Sequence, residues 1–258
     1  MEPHLVPAKR NSSAYTPRTR LRDRDIEALT FIGRGYEVAQ YQLREAIFAA
    51  RSQNVTSRFV IRASERGFIV AERLGGIGMN RLRLTRLGRE FLVDDRGLAE
   101  DELFAPAKAV ALKDLAHTLA INDLRVALLG LKNPPTLISP AWHLQRRLSS
   151  ATAIPDVLAR WPAGAEARGL LLACEIDLGC EGLATVFLPK LERLRELLNA
   201  AAGPDRAAVV IFTRGNRRVE LIARYAENAP IPVMPFLLPA TSGSREGILM
   251  LRTLLTQN

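Results

Sequence analysis

IPDVLARW at 154–161 and GLLLACEID at 169–177, with Lys190 beyond them, are the stretches whose reading decides the fold of this chain. Each is an apolar run of strand length bounded by Pro or Gly. Asp156 heads the first run, Glu175 and Asp177 end the second, and Lys190 lies in the helical pattern from about Ala184 to Ala201. Carboxylates at neighbouring strand ends with a lysine nearby are the parts of a metal-dependent phosphodiester site. Hard oxygens hold a divalent cation there, and an ammonium group orients the attacking water. The slot two residues after Glu175, where such a site ordinarily keeps its lysine, holds Asp177. The motif therefore reads E-x-D, and the cation must come from Lys190.

Outward from this stretch the elements continue in a regular order. Ala207 to Thr213 reads as a strand, Arg217 to Glu227 as a helix, and Ile231 to Leu238 as a strand whose Pro232 and Pro235 suit an edge position. A last helix follows Ser242 or Ser244. Upstream, Ala105 to Leu131 is a long helical pattern ended by Pro134-Pro135, and Thr136 to Leu144 is a strand interrupted at Pro140. Helix, three strands, helix, strand is an α/β core with helices on both faces. His117, Asn122 and Asp123 are the polar exceptions in the long helix, and we expect them to line the cleft of Asp156. A structural reading stands beside the catalytic one. In it Asp156 caps a neighbouring amide, Glu175 and Asp177 share a strand face and pair with Lys190 or Arg193, and His117 is a hydrogen-bonded core group.

The front of the chain has a different chemistry. Residues 1–98 carry 18 Lys and Arg against 11 Asp and Glu, a net +7, whereas the remainder holds 18 against 16, a net +2. Lys9 is the only lysine of that front part. Arginine in such excess suits phosphate, because guanidinium meets it in a planar fork. Residues 1–20 read as a flexible basic arm. A helix from Asp23 carries the stripe Ile26, Leu29, Phe31 and Ile32 and is stopped by Gly33 and Gly35. Val38, Leu43, Ile47 and Phe48 make a second short helix, and Val55 to Glu65 a third, closed by Gly67. The period then changes to that of a strand hairpin, 68–73 and 81–85, around Gly75, Gly76 and Gly78. Three helices followed by a hairpin is the winged-helix arrangement.

Arg58, Arg62 and Arg66 recur every four residues on the third helix, while Phe59 and Ile61 are expected to turn toward the core. That face, with Ser57, can enter a major groove. Arg73, Arg81 and Arg83 on the hairpin and Arg86 after it are placed to meet adjacent phosphates. The partner implied is double-stranded DNA; the alternative is a solvated arginine face on a protein-interaction winged helix. An acidic stretch at 94–104 separates 21–93 from 105–258 as a linker.

The composition sets outer limits. The longest apolar stretches, such as Leu170 to Cys174, are too short to cross a bilayer, and Met1 to Arg20 lacks the apolar middle of a signal peptide. A cytoplasmic protein without membrane association is expected. Cys174 and Cys180 have no C-x-x-C spacing and no nearby histidine pair, so they read as free thiols. The glycines of the hairpin are not followed by G-K-[ST], which removes a nucleotide phosphate loop. The C-terminal apolar residues Ile248, Leu249, Leu251, Leu254 and Leu255 can pack on their own sheet or on a second copy.

Taken in order, the winged helix, then His117-x-Leu119-x-x-Asn122-Asp123 on a helix, Trp142 near a strand, Pro155-Asp156, Glu175-x-Asp177 and Lys190 resemble the replication-relaxation family of plasmid and mobile-element proteins. The resemblance runs over nearly the whole chain. It implies DNA binding in replication, mobilisation or regulation, and a second half similar to the restriction-endonuclease-like PD-(D/E)xK fold. The fold expected is thus α/β overall, an N-terminal winged helix-turn-helix followed by a restriction-endonuclease-like αβββαβ domain. Binding without cleavage is the reading taken first. The alternatives are a Mg- or Mn-dependent endonuclease using Asp156, Glu175, Asp177, Lys190 and His117, with the metal on Asp156 and Glu175, and a structural subunit that binds protein partners or itself through the C-terminal domain. One departure is that the family often has an acid shortly after the tryptophan, where this chain has Gln145.

Overall fold

A computed structural model of the protein describes residues 21–74, 79–147, 153–164, 168–179, 182–203, 205–227, 231–239 and 244–256. The basic arm, the hairpin glycines, Cys180 and Ser242 lie outside the described residues. The chain is α/β, with helices packed on two sheets.

The first sheet belongs to the basic end of the chain. Helices α1 (Asp23–Arg34), α2 (Gln40–Ile47) and α3 (Gln53–Glu65) precede strands β2 (Ile69–Leu74) and β3 (Met79–Leu84), and a two-residue strand β1 (Val38–Ala39) joins them to give the order β1-β3-β2, all antiparallel. Val38 is therefore extended and paired with Leu82 rather than helical, as its β-branched side chain favours. Helix α1 runs through Gly33, where the missing Cβ lets Leu103 and Leu84 close in. Helix α3 buries Thr56, Phe59, Val60 and Ala63. Ile61, expected inside, is 56% exposed, because two residues beyond Phe59 is about 200° round the helix. After β3, Thr85 caps the short helix α4 (Arg86–Glu90) by accepting from Gly88 N, and Gly88 is required there since a Cβ would meet Phe68 O at 2.3 Å. A helical turn at Phe91–Asp95 leads into residues 96–104, of which Leu103 and Phe104 are buried and Glu102 pairs with Arg34.

The long helix α5 (Leu112–Leu129) starts later than its apolar pattern suggested. Residues 105–111 instead lie along the first sheet, where Arg83 donates to Pro106 O and Ala107 O and Arg81 to Val110 O. Strand β4 (Leu137–Pro140) ends at its proline, which lacks an N–H, and Ala141–Arg147 forms helix α6 where a continuing strand was expected. Then come β5 (Val157–Trp161), β6 (Leu170–Asp177), a wide helical turn at Leu183–Phe187, α7 (Leu188–Ala202), β7 (Arg206–Thr213), α8 (Asn216–Ala226), β8 (Val233–Leu237) and α9 (Arg245–Thr256). The second sheet has the order β4-β5-β6-β7-β8, antiparallel as far as β6 and parallel from β6 to β8, with β8 at the edge.

Strand β6 is buried on both faces, and its period of two divides the core. Leu171 and Ala173 pack with Leu191, Leu194 and Leu198 of α7 and Ile222 of α8. Leu172, Cys174 and Ile176 face α5 and α9, where Ile248 and Leu251 are buried. That second cluster continues without a break through Leu124 and Leu128 into Leu29, Ile32, Leu43 and Leu82 of the first sheet and its helices. Among the described residues no helix is long and apolar enough to cross a membrane.

Candidate functional site

The parallel strands β6 and β7 end side by side, so their C-terminal residues and the helices that follow open onto one cleft. Its volume is about 440 Å³, and Lys113, His117, Glu175, Asp177 and Lys190 line it. Asp156 reaches it from the residue before β5. Its Oδ2 accepts from Ile176 N at 2.7 Å, which uses the backbone amide left unpaired where β5 stops matching β6 at Val157 and Cys174. His117, one turn inside α5, brings Nε2 to 3.2 Å from the same oxygen and 3.1 Å from Ile176 O. Both partners are acceptors, so Nε2 carries a proton. The hydrogen bond to Asp156 is the main cause that raises the His117 pKa, against the opposing effect of burial.

Glu175 is the most unusual group of the cleft. It is 1% exposed, Lys190 Nζ donates to its Oε2 at 2.5 Å, and its Oε1 is buried with no hydrogen-bond partner among the described residues. Burial, then the nearby Asp156 charge, pushes its pKa up to about 8, and Lys190 pulls the other way. Asp177 is on the same side of β6 but is fully engaged. Thr213 Oγ1 donates to its Oδ2 at 2.7 Å, Gly179 N to its Oδ1 at 2.9 Å, and the Arg218 guanidinium is ion-paired with Oδ2. The negative charge of Asp177 is therefore balanced by Arg218 at the start of α8. The sequence pattern missed this arginine, whose only signal is the basic pair Arg217-Arg218 in the first turn of the helix after a strand end.

The structure brings Asp156, Glu175, Lys190 and His117 together, with Asp177 beside them. It does not bring Asn122 and Asp123 there, contrary to expectation. They follow His117 on α5 by more than one turn and face the other way, toward the first sheet. Asn122 Nδ2 donates to Gly35 O at 3.0 Å and Glu37 O at 2.9 Å, gripping both sides of Tyr36, which holds a positive φ of 61°. Asp123 Oδ1 accepts from Tyr41 OH at 2.6 Å and Gln42 Nε2 at 2.7 Å. Trp142 Nε1 donates to Arg34 O at 3.0 Å, and Gln145 is exposed on α6. Cys174 is buried and its thiol pKa is raised by that burial.

The arginines of the first sheet divide into two sets. Arg58, Arg62, Arg73 and Arg86 are exposed; Arg62 reaches Asp25 at 3.6 Å and Arg86 pairs with Glu90 on its own helix. Ser57 accepts from Gln40 Nε2 at 3.2 Å, and Arg66 is half-buried at the end of α3. Arg81 and Arg83 point inward onto Glu72, at 2.6 Å each, and Arg81 also onto the buried Glu37 at 3.2 Å. Those bonds hold the Glu72 carboxyl below its ordinary pKa.

No curated protein and no solved structure is matched by the chain. The profile of the replication-relaxation family matches residues 29–210, which take in the second half of α1, helices α2 and α3, the long helix and both carboxylate strands. A match over well over half of its length establishes that the chain belongs to the replication-relaxation family.

Proposed function

We propose that this chain is a DNA-binding protein of plasmid or mobile-element replication, in which residues 21–93 act as a winged helix that lays α3 on duplex DNA. Family membership supports the process, and the element order α1-β1-α2-α3-β2-β3 supports the winged helix. The observation that carries the duplex reading is the outer face of α3. Arg58 and Arg62 stand there one turn apart and exposed; Arg58 has no ion pair among the described residues, and Arg62 reaches Asp25 only at 3.6 Å. Ile61, between them, adds an exposed apolar group. Arg73 and Arg86 extend the basic face beyond the helix, whereas Arg81 and Arg83 serve to hold residues 105–110. The test is fluorescence anisotropy on a labelled duplex at several salt concentrations. Arg58→Ala and Arg62→Ala are each expected to weaken binding and to reduce the slope of log K against log salt by about 1. Unaltered affinity and slope in both would overturn the reading.

A second reading is favoured by the cleft: metal-dependent phosphodiester cleavage by a restriction-endonuclease-like domain. The order α5-β4-α6-β5-β6-α7-β7 agrees with that fold apart from the inserted helix α6, and the unpartnered Glu175 Oε1 agrees with a cation ligand. Magnesium or manganese would be held by Asp156, Glu175 and the Ile176 carbonyl, hard oxygens that leave the remaining positions to water. Such a cation would supply Lewis acidity toward a phosphate oxygen. Lys190 is near enough to Glu175 to orient a water, and His117 fixes Asp156. No three His, Cys, Asp or Glu residues gather into a metal cluster among the described residues, so the binding site would be sparse. Incubation of nicked, branched and intact duplex with either metal tests this. Product that vanishes in Asp156→Ala and Glu175→Ala supports cleavage, and no product on any substrate removes it.

A further inference from the structure

The seam between the two sheets contains a charge that neither reading uses. Arg125 of α5 is 5% exposed, and arginine is almost never buried to that degree without a carboxylate. Here none of the described acids pairs with it. Its NH1 donates to the neutral amide oxygen of Asn122 at 2.5 Å, its guanidinium lies 5.5 Å from the Phe31 ring centre, and its Nε is buried with no partner. The side chain lines a cleft of about 560 Å³ between α1 and β4, whose wall also carries Arg34 and Arg96, with Glu27 the one acid among the described lining residues. Arg34 is tied to Glu102 and 43% exposed, and Arg96 is exposed. Three arginines against the single carboxylate of Glu27 leave the described lining net positive. Burial and the charge of Arg34 lower the Arg125 pKa to about 9, and His143, stacked on Phe104, is held at about 4 by burial and by Arg125, Arg147, Arg34 and Arg146.

Two uses of a buried guanidinium can be weighed. As a packing element it is poor, because desolvation of the charge is repaid only by one amide oxygen and one ring, and an apolar side chain of like volume would serve better. As an anion receptor it is well placed, since a desolvated guanidinium with free donors binds phosphate strongly and in a fixed geometry. The apolar part of the same wall, Phe31 and Leu129, offers a surface to whatever bears the anion. We propose that this cleft binds a phosphate-bearing ligand, with Arg125 as the buried receptor and Arg34 and Arg96 as its outer contacts.

The proposal stands apart from the duplex face and the carboxylate cleft, and it is tested on the full chain by thermal unfolding and calorimetric titration. The probes are inorganic pyrophosphate, deoxyadenosine monophosphate, and an oligonucleotide with a 5′-phosphate or a 5′-hydroxyl. Binding of at least one phosphate probe is expected, lost in Arg125→Met and weakened ~10-fold in Arg96→Ala, the loss of one charge-assisted contact. Arg224→Ala, at an exposed arginine of α8 that neither reading uses, should leave it unchanged. Equal binding of pyrophosphate and the nucleotide assigns the affinity to the phosphate group, tighter nucleotide binding brings in the apolar wall, and selective binding of the 5′-phosphorylated strand makes it a strand-end site. Arg125→Met is expected to melt no lower than the parent, since an uncompensated charge has been removed; should it fail to fold, Arg96→Ala decides. Absence of any phosphate-dependent change, or binding indifferent to both substitutions, overturns the proposal.

Discussion

Glu175 shows how one residue links the cleft to the stability of the whole. Its folded pKa of about 8 lies above the unfolded value of 4.5, so the folded chain holds that proton more tightly than the unfolded one. The resulting stabilisation is complete below 4.5 and is lost as pH rises through about 8, at no more than ~1.4 kcal/mol per pH unit. The raised pKa of His117 acts in the same direction above its unfolded value of 6.5. Thermal midpoints should therefore fall as pH rises from 5 toward 8, and Glu175→Gln should flatten the decline, with its largest gain over the parent at the alkaline end. An identical pH slope in the variant would show that Glu175 is ionised throughout. Added manganese would substitute for the proton on Glu175, so it should raise the midpoint of the parent at alkaline pH and not that of the variant.

At the scale of elements, the long helix α5 has one motif and two jobs. His117 faces the carboxylates, and Asn122 and Asp123 hold α1, β1 and α2. Asn122→Ala would strip the partner from two buried carbonyls and from Arg125, and we expect a loss of roughly 2–4 kcal/mol in denaturant unfolding. A loss below about 1 kcal/mol would mean that water replaces the amide. The strands were readable because Leu170 to Asp177 and Ala207 to Thr213 are apolar runs that only a doubly covered sheet can bury. Asp156, Glu175, Lys190 and His117 were readable as one spatial cluster because strand ends and the neighbouring helices converge by topology alone. The opposite facing of Asn122 was not, since it depends on where a separate sheet packs against α5. Val38 and the α6 segment were misread for a local reason: two extended residues and a seven-residue helix are too short to display a period. Arg218 and Arg125 drew no notice because nothing in the pattern says which of many arginines is turned inward.

For the molecule as a whole, the continuous cluster from Leu29 through Leu124 to Val210 predicts one cooperative unfolding transition rather than two. Calorimetry checks this, with agreement of the calorimetric and van't Hoff enthalpies as the expected result; two resolved transitions would mean that the basic end and the α/β end fold independently. The turn at Tyr36 draws a further consequence from the same seam. Three carbonyls that flank it, those of Arg34, Gly35 and Glu37, are grasped by Trp142 and Asn122 from the other sheet's helices. Because that turn sets the direction in which α2 and α3 leave α1, the outer face of α3 is held at a constant offset from the carboxylate cleft. A duplex laid on α3 would then be measured as by a ruler, its backbone meeting Glu175 and Lys190 at a fixed count of base pairs or not at all.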